Sequence, residues 1–395
     1  MRIGEFTDSF LPVVDGVGRV VYSYAETLSR RGHECYVITP MTDMGFRGRY
    51  PFEVIDFYGI SVPDTPQYKA GMPLWDMHYH ERIKTVSFDI VHVHSPFMTG
   101  YEGIRIAKKL KVPVVGTFHS KYYDDFLQVM KFQQLASAGV KLVSDFYEKC
   151  DEVWAVSEGS AESLMSYGYK GDIKVMRNGT EIRKPNKKYI DKVRTMYNLS
   201  AVPVVLFVGQ MNWKKNILCI LQAVKILKTK GRLVKLILAG QGPHADEIIQ
   251  KIEELDLSDR VEMTGHITDI QILDGLYGAA DIFAFPSIYD NGPMVVREAA
   301  AMGTPSIVVK GSSAAEGIRH KENGFLCDND PMDLEAVLSD VLFDHPGMAK
   351  EVGRNAQKTI PISWDEIIPD VEERYCDLII RKKQNKPRRR TKILI

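Results

Sequence analysis

The chain of 395 residues is poor in the features that mark several protein classes. Its five cysteines (Cys35, Cys150, Cys219, Cys327 and Cys376) are scattered, with no C-x-x-C pair. That spacing offers no zinc-site pattern and demands no oxidising compartment. Long apolar runs are missing too. The longest, Ala201–Val208, is far short of the ~20 residues a spanning helix needs. The opening MRIGEF enters a strand-like run without the basic and long apolar regions of a signal peptide, so a cytoplasmic chain is expected. Attachment to the inner face of the membrane as a peripheral protein stays open. No G-x-S-x-G, H-E-x-x-H or G-x-x-x-x-G-K motif occurs, and no internal repeat. Net charge is absent as well, with 51 basic residues against 51 acidic.

What is present begins with an asymmetry inside that zero. The stretch 381–392 reads RKKQNKPRRRTK, eight basic residues and no acidic one. Setting those eight aside leaves 43 basic against 51 acidic residues, an acidic body with a basic end. Anionic membrane attracts such residues. Nucleic acid is not an expected partner, because the body is acidic and the basic stretch has no interleaved aromatics.

Short Val- and Ile-rich runs alternate with segments of helical period. Strands are predicted at Arg2–Phe6, His33–Thr39, Ile90–His94, Val112–Thr117, Glu152–Val156 and Ile173–Met176. A second series follows at Val202–Val208, Lys235–Ala239, Val261–Thr264, Asp281–Ala284 and Pro305–Val309. Continuous apolar character marks strands buried on both faces, hence parallel sheets covered by helices. The expected architecture is α/β, two doubly wound Rossmann-like domains facing an interdomain cleft. The polar, lysine-rich stretch around 181–199 is expected to separate them.

Four stretches carry chemistry. Asp15-Gly16-Val17-Gly18 stands between the first strand and a helix, where paired glycines let a ligand approach the backbone. Val21 replaces the third glycine of a dinucleotide fingerprint, so the loop is no case for NAD. Gly209-Gln210 ends a strand ahead of Asn212-Trp213-Lys214-Lys215-Asn216, and lysine before a helix N-terminus suits a phosphate. Asp290-Asn291-Gly292-Pro293-Met294 precedes a helix that Asn291 or Gly292 is expected to cap, with Pro293 in its first position. Glu298 lies five residues past Pro293 in an apolar stretch, where a carboxylate has a partner or a task. His119 stands at the carboxyl end of a first-domain strand.

Taken in order, these segments resemble the retaining glycosyltransferases of family 4, which have the GT-B fold. The resemblance runs over nearly the whole chain. It adds Val156-Ser157, Arg177-Asn178-Gly179, Gly240-Gln241-Gly242-Pro243, Gly265, Pro286-Ser287, Gly303-Thr304-Pro305, Asn323-Gly324 and Ile362-Ser363-Trp364. It implies an acceptor-binding domain over 1–183, a linker over 184–200 and a nucleotide-sugar-binding domain over 201–362. A helix over 363–380 would cross back to the first domain, and 381–395 would form a basic tail. By resemblance, Glu298 binds the nucleotide ribose and Asp290 the donor sugar's hydroxyls. Lys215 binds the diphosphate, His119 lies near the sugar's 6-hydroxyl, and Gly16 and Gly18 border diphosphate and acceptor. Gly292, Pro293 and Met294, with Asn291, would hold sugar and phosphate oxygens, and Gly265, His266 and Ile267 would border the base. Catalytic roles fall to His119, Lys215 and Asp290.

The chain departs from the family pattern in two places. Asp290 stands where the family has glutamate, one methylene longer. Gln210 stands where it has arginine, removing a charge-assisted contact worth about 1.5–3 kcal/mol. The implied reaction is metal-independent and retaining, with no cofactor. It would move a hexosyl group from a nucleotide-sugar of the UDP-glucose kind to a hydroxyl acceptor. The likeness is to bacterial members that glycosylate diacylglycerol and other lipids, and a soluble sugar or glycan acceptor stays open. A nucleotide-sugar 2-epimerase would need acid/base groups on both faces of the sugar, and a catalytically inactive binding protein is a third alternative.

Overall fold

The computed structural model describes residues 1–11, 15–41, 49–62, 65–199 and 202–384. They form two compact units: Met1–Asn178 with the C-terminal segment from Trp364, and Gly179–Ser363.

The strands of the first unit are β1 (Arg2–Phe6), β2 (Glu34–Met41), β3 (Glu53–Val62), β4 (Thr65–Gly71), β5 (Ile90–Val93), β6 (Val114–Phe118), β7 (Glu152–Ala155) and β8 (Ile173–Val175). They form one sheet in the order β4-β3-β2-β1-β5-β6-β7-β8. Only the β3–β4 pair is antiparallel. Every residue of β5 and β6 is buried, so both faces of the sheet are covered there. The second unit carries β9 (Val204–Val208), β10 (Lys235–Ala239), β11 (Val261–Gly265), β12 (Ile282–Phe285), β13 (Ser306–Val309) and β14 (Phe325–Cys327). Its order is β11-β10-β9-β12-β13-β14, with each neighbour parallel. Strand order reverses beside β1 in one sheet and beside β9 in the other, and ligands of open α/β sheets sit at such switch points.

Three strands escape a reading of apolar runs. β3 carries Glu53 and Asp56 among its apolar residues, and β4 (TPQYKAG) is a polar edge strand, where proline is tolerated. β14 has three residues and is defined by its pairing with β13.

The stretch expected as a linker is mostly helix, Lys187–Met196, capped by Asn186. It belongs to the second unit and packs on the helix Ile270–Ala279. A Cβ on Gly275 would lie 2.7 Å from the Tyr189 carbonyl oxygen, so the two helices meet backbone to backbone. Tyr189, Ile190 and Val193 supply the apolar stripe, which the surrounding lysines hide in the sequence.

The last helix, Trp364–Gln384, clusters with the first unit. Ile368, Val371 and Tyr375 are buried on its inner face, and the Tyr375 ring stacks on Trp154 at 5.6 Å. Glu372 accepts from Arg31 (2.7 and 2.8 Å), and Arg374 pairs with Glu152. Residues Arg381–Gln384 continue the helix, where Lys382 reaches Asp151 at 2.6 Å. The rest of the expected basic tail, 385–395, lies outside the described residues. The Ile368→Ala change is expected to destabilise the first unit by about 2–4 kcal/mol, as for other buried isoleucines. Urea unfolding followed through the fluorescence of buried Trp154 and Trp364 measures it, and an unchanged midpoint would mean the helix is not integral to the unit.

Candidate active site

In the second unit the loop after β9 is laid tightly on its neighbour. The Gly209 N–H donates to Ala239 O (3.0 Å), and a Cβ on Gly240 would come within 1.9 Å of Gly209 O. Gly240 also has φ +140°, so only glycine fits there. Asn212 then caps a single turn, Trp213–Lys215, by accepting from the Lys214 N–H at 3.0 Å. Asn216 follows at φ +60° and donates to Pro286 O (3.1 Å) and Asn329 Oδ1 (2.8 Å), tying this loop to the one after β12.

That tie brings Lys215 to Asp290. The ammonium lies 2.5 Å from Asp290 Oδ1, with the two side chains only 14 % and 19 % exposed. Asp290 Oδ2 accepts from Ser287 Oγ at 2.6 Å. The ring of Tyr289 lies against both lysines, 5.0 Å from Lys214 Nζ and 5.5 Å from Lys215 Nζ. Asp290 is thus held by its neighbours and in turn holds Lys215.

The helix that follows begins at Met294 and runs to Ala301. Asn291 and Gly292 are therefore not its cap, contrary to the sequence expectation. Gly292 makes the turn at φ +51°, and Pro293, at φ −64° and ψ 125°, is the cap residue itself. Proline has no side-chain acceptor, so the helix starts without a side-chain cap. Glu298, 3 % exposed, accepts from the Tyr277 hydroxyl at 3.1 Å. Tyr277 is itself anchored, its carbonyl accepting from Thr304 Oγ1 at 2.5 Å.

The remaining candidates of this unit are spread around it. Gln210 and His266 are exposed, and Ile267 packs half-buried against the core. Gly265 takes φ +68° at the end of β11.

In the first unit, Asp15 caps the helix Gly16–Arg30, accepting from the Gly18 N–H (2.7 Å) and from Ser9 Oγ (2.5 Å). A Cβ on Gly18 would meet Phe10 Cα at 3.3 Å, whereas one on Gly16 meets nothing within 4 Å among the described residues. A side chain at position 18 would therefore be tight, while Gly16 is exposed. His119, after β6, is buried and lies against other histidines. Its Nε2 lies 3.0 Å from His94 Nδ1, and His94 Nε2 lies 2.7 Å from Glu5 Oε2. Beside them His92 reaches Thr117 Oγ1 and the Tyr375 hydroxyl, both at 2.6 Å. Burial would raise the Glu5 carboxyl, but the histidines His92 and His94 overcome it and hold it at about 2. Burial pushes His92 down to about 4 and His119 well below the usual histidine range.

Sequence reasoning missed Glu5, His92, His94 and Tyr375. The signals were there: a glutamate inside an apolar first strand, and His-x-His in a strand, which puts both rings on one face. Glu5, His92 and His94 are also the one group among the described residues that gathers three metal-ligating side chains. Their ring nitrogens already have protein partners.

Two units, each built on a doubly wound, mostly parallel sheet, give the architecture of the GT-B fold. Residues 14–184 match the family model "Glycosyltransferase Family 4" and residues 197–359 match "Glycosyl transferases group 1". The chain belongs to this glycosyltransferase family. It is 28 % identical, over 96 % of its length and 86 % of the relative's, to the alpha-monoglucosyldiacylglycerol synthase of Streptococcus pneumoniae. It is 25 % identical to a GDP-mannose-dependent alpha-mannosyltransferase of Corynebacterium glutamicum, over 96 % of this chain and 89 % of that one. Its fold matches the Anabaena protein Alr3699/HepE, solved in complex with UDP, at a TM-score of 0.75 and 20 % identity, covering 95 % of this chain and all of the other.

Proposed function

We propose that the protein is a retaining, metal-independent glycosyltransferase that moves a hexosyl group from a nucleotide-sugar of the UDP-glucose kind to a hydroxyl of diacylglycerol or a similar membrane lipid. The observation that carries this reading is the Lys215–Asp290 pair beside the uncapped start of the helix Met294–Ala301, with Glu298 buried on that helix. A nucleotide-sugar has the matching order of groups. Its diphosphate meets the lysine and the helix N–H groups, where charge and dipole add. Its sugar hydroxyls meet Asp290 and the backbone of Asn291–Met294. Its ribose hydroxyls donate to Glu298, and its base lies along Gly265, His266 and Ile267, with exposed Gln210 at the rim.

In this mechanism the departing diphosphate takes the bonding electron pair, and Lys215 with the helix N–H groups stabilises the charge as it develops. The acceptor hydroxyl attacks from the face the diphosphate leaves, and the leaving phosphate oxygen takes its proton. His119 is the polar group of the first unit assigned to substrate, with exposed Gly16 bordering the diphosphate and acceptor and Gly18 packed behind it.

The lipid acceptor rests on the likeness to the diacylglycerol enzyme and on the surface of the first unit. Trp75 is 80 % exposed, with Leu74 and Met77 exposed beside it. Tyr79, the other aromatic of this stretch, is fully buried and donates to Glu102 at 2.9 Å, so it is core. No helix among the described residues is long and apolar enough to cross a membrane, so the contact proposed is peripheral. Full-length protein is expected to sediment with phosphatidylglycerol vesicles. Trp75→Ala and truncation after Gln384, which removes five basic residues, should each release it in part, since a basic residue near such a surface is worth about 1 kcal/mol. Full-length protein that stays in the supernatant would favour a soluble acceptor. The likeness to a GDP-mannose-dependent enzyme supports a second donor reading, and a screen of UDP-glucose against GDP-mannose by released nucleotide decides between them.

A further inference from the structure

Asp290 lies in the loop between β12 and the helix Met294–Ala301, yet both of its carboxylate oxygens are held. Oδ1 takes the Lys215 ammonium at 2.5 Å, and Oδ2 takes the Ser287 hydroxyl at 2.6 Å. The two anchors differ in kind. Lysine is a long, flexible chain, and its charge is the one assigned to the diphosphate. Ser287 has a single side-chain rotor, is 1 % exposed and stands two residues past the end of β12. The carbonyl before it, Pro286 O, accepts from the Asn216 side chain at 3.1 Å, which fixes its backbone. Ser287 Oγ also accepts from the Tyr289 N–H at 3.3 Å, so its own proton is the one given to the carboxylate.

We infer that Ser287 is a positioning residue, whose hydroxyl holds the Asp290 carboxylate in the orientation that receives the donor sugar's hydroxyls. This deepens, and rests on, the assignment of Asp290 to the sugar. A carboxylate has about four acceptor positions, shared between its two oxygens. The lysine and the serine each take one, on different oxygens, and the side chain is 19 % exposed, so each oxygen has room to accept a sugar hydroxyl. Bound donor gives Lys215 two anions to serve, the diphosphate and Asp290, and its hold on Oδ1 weakens. Buried Ser287 offers the donor no surface, so its bond to Oδ2 persists. A carboxylate left on the lysine alone would turn about its two side-chain bonds, and lost orientation beside a reacting sugar is costly. Fixing Oδ2 fixes Oδ1 as well, because the carboxylate is rigid and planar.

Two substitutions separate positioning from packing. Ser287→Ala removes the hydroxyl and fits the space. Ser287→Thr keeps the hydroxyl and adds a methyl group to a filled site. Positioning predicts that Ser287→Ala loses about tenfold or more in kcat/KM for UDP-glucose, and that Ser287→Thr keeps more of it. A role in packing alone predicts the reverse order and would overturn the inference. Equilibrium binding of UDP, which carries no sugar, gives a second readout, and its Kd should stay within about twofold in Ser287→Ala. Equal losses for UDP and UDP-glucose mean general damage to the loop and overturn the inference, even where Ser287→Thr does not fold. Analogues of UDP-glucose that lack a single ring hydroxyl complete the test. The native enzyme should discriminate against at least one of them, and Ser287→Ala should discriminate less, because the two changes remove parts of one interaction. Undiminished discrimination overturns the inference. Asp290→Asn separates it from the reading beneath it. If Asp290→Asn transfers sugar at the native rate, the assignment of Asp290 fails and the role of Ser287 falls with it. If Asp290→Asn is impaired and Ser287→Ala is not, only the role of Ser287 fails. GDP-mannose, GDP and the matching deoxy analogues replace the uridine compounds where the donor screen selects them.

Discussion

Lys215→Ala is expected to lower sugar transfer by roughly a hundredfold or more, the scale of losing one preorganised charge stabiliser. The effect belongs in kcat, because the charge on the departing diphosphate grows towards the transition state. The fold should survive. Asp290 keeps Ser287 Oγ at 2.6 Å and is about a fifth exposed, so the loss of its cation leaves no fully buried charge behind. Asn216, whose side chain ties the loop after β9 to Pro286 and Asn329, is untouched by the change. Initial rates of nucleotide release at saturating donor, with a melting curve as control, measure it. Near-native turnover would remove Lys215 from the mechanism.

Glu298→Gln is expected to act on donor affinity. In the proposed binding mode the carboxylate would accept from ribose hydroxyls, and losing that charge-assisted contact, worth about 1.5–3 kcal/mol, is roughly a 10- to 150-fold rise in donor Kd. Glutamine keeps the shape and an oxygen for the Tyr277 hydroxyl, so the helix Met294–Ala301 should stay packed. Equilibrium binding of the nucleotide alone is the suitable measurement, since the ribose bonds need no sugar. Unchanged nucleotide affinity would assign Glu298 to the core, as the partner of Tyr277.

The main strands of both sheets were legible because each is a continuous apolar run closed by polar or glycine-containing turns. β1 and β10 have the bounds their residues suggest. β3, β4 and β14 were not, since their definition lies in partners distant in sequence. The helix 187–196 was hidden for a related reason: three apolar residues among lysines have no meaning until the helix 270–279 supplies glycines to receive them. In the site, Asp290 and Lys215 were legible as types, but their ion pair was not, because Asn216 draws two loops together across 70 residues. The capping error has a local cause. Gly292 turns with positive φ and leaves Pro293 outside the helix. The surroundings of His119 were not legible because His94 follows β5 and Glu5 lies in β1, both distant from it in sequence.

The central claim is transfer from a nucleotide-sugar to a lipid hydroxyl with retention at the anomeric carbon. The most direct measurement incubates full-length protein with UDP-glucose and diacylglycerol in phosphatidylglycerol vesicles, then takes the proton NMR spectrum of the extracted lipid. The expected result is UDP released in step with a glucosyl lipid whose anomeric coupling is that of the α-linkage. A β-linked product would contradict the retaining mechanism, and UDP-glucose left intact would contradict the donor.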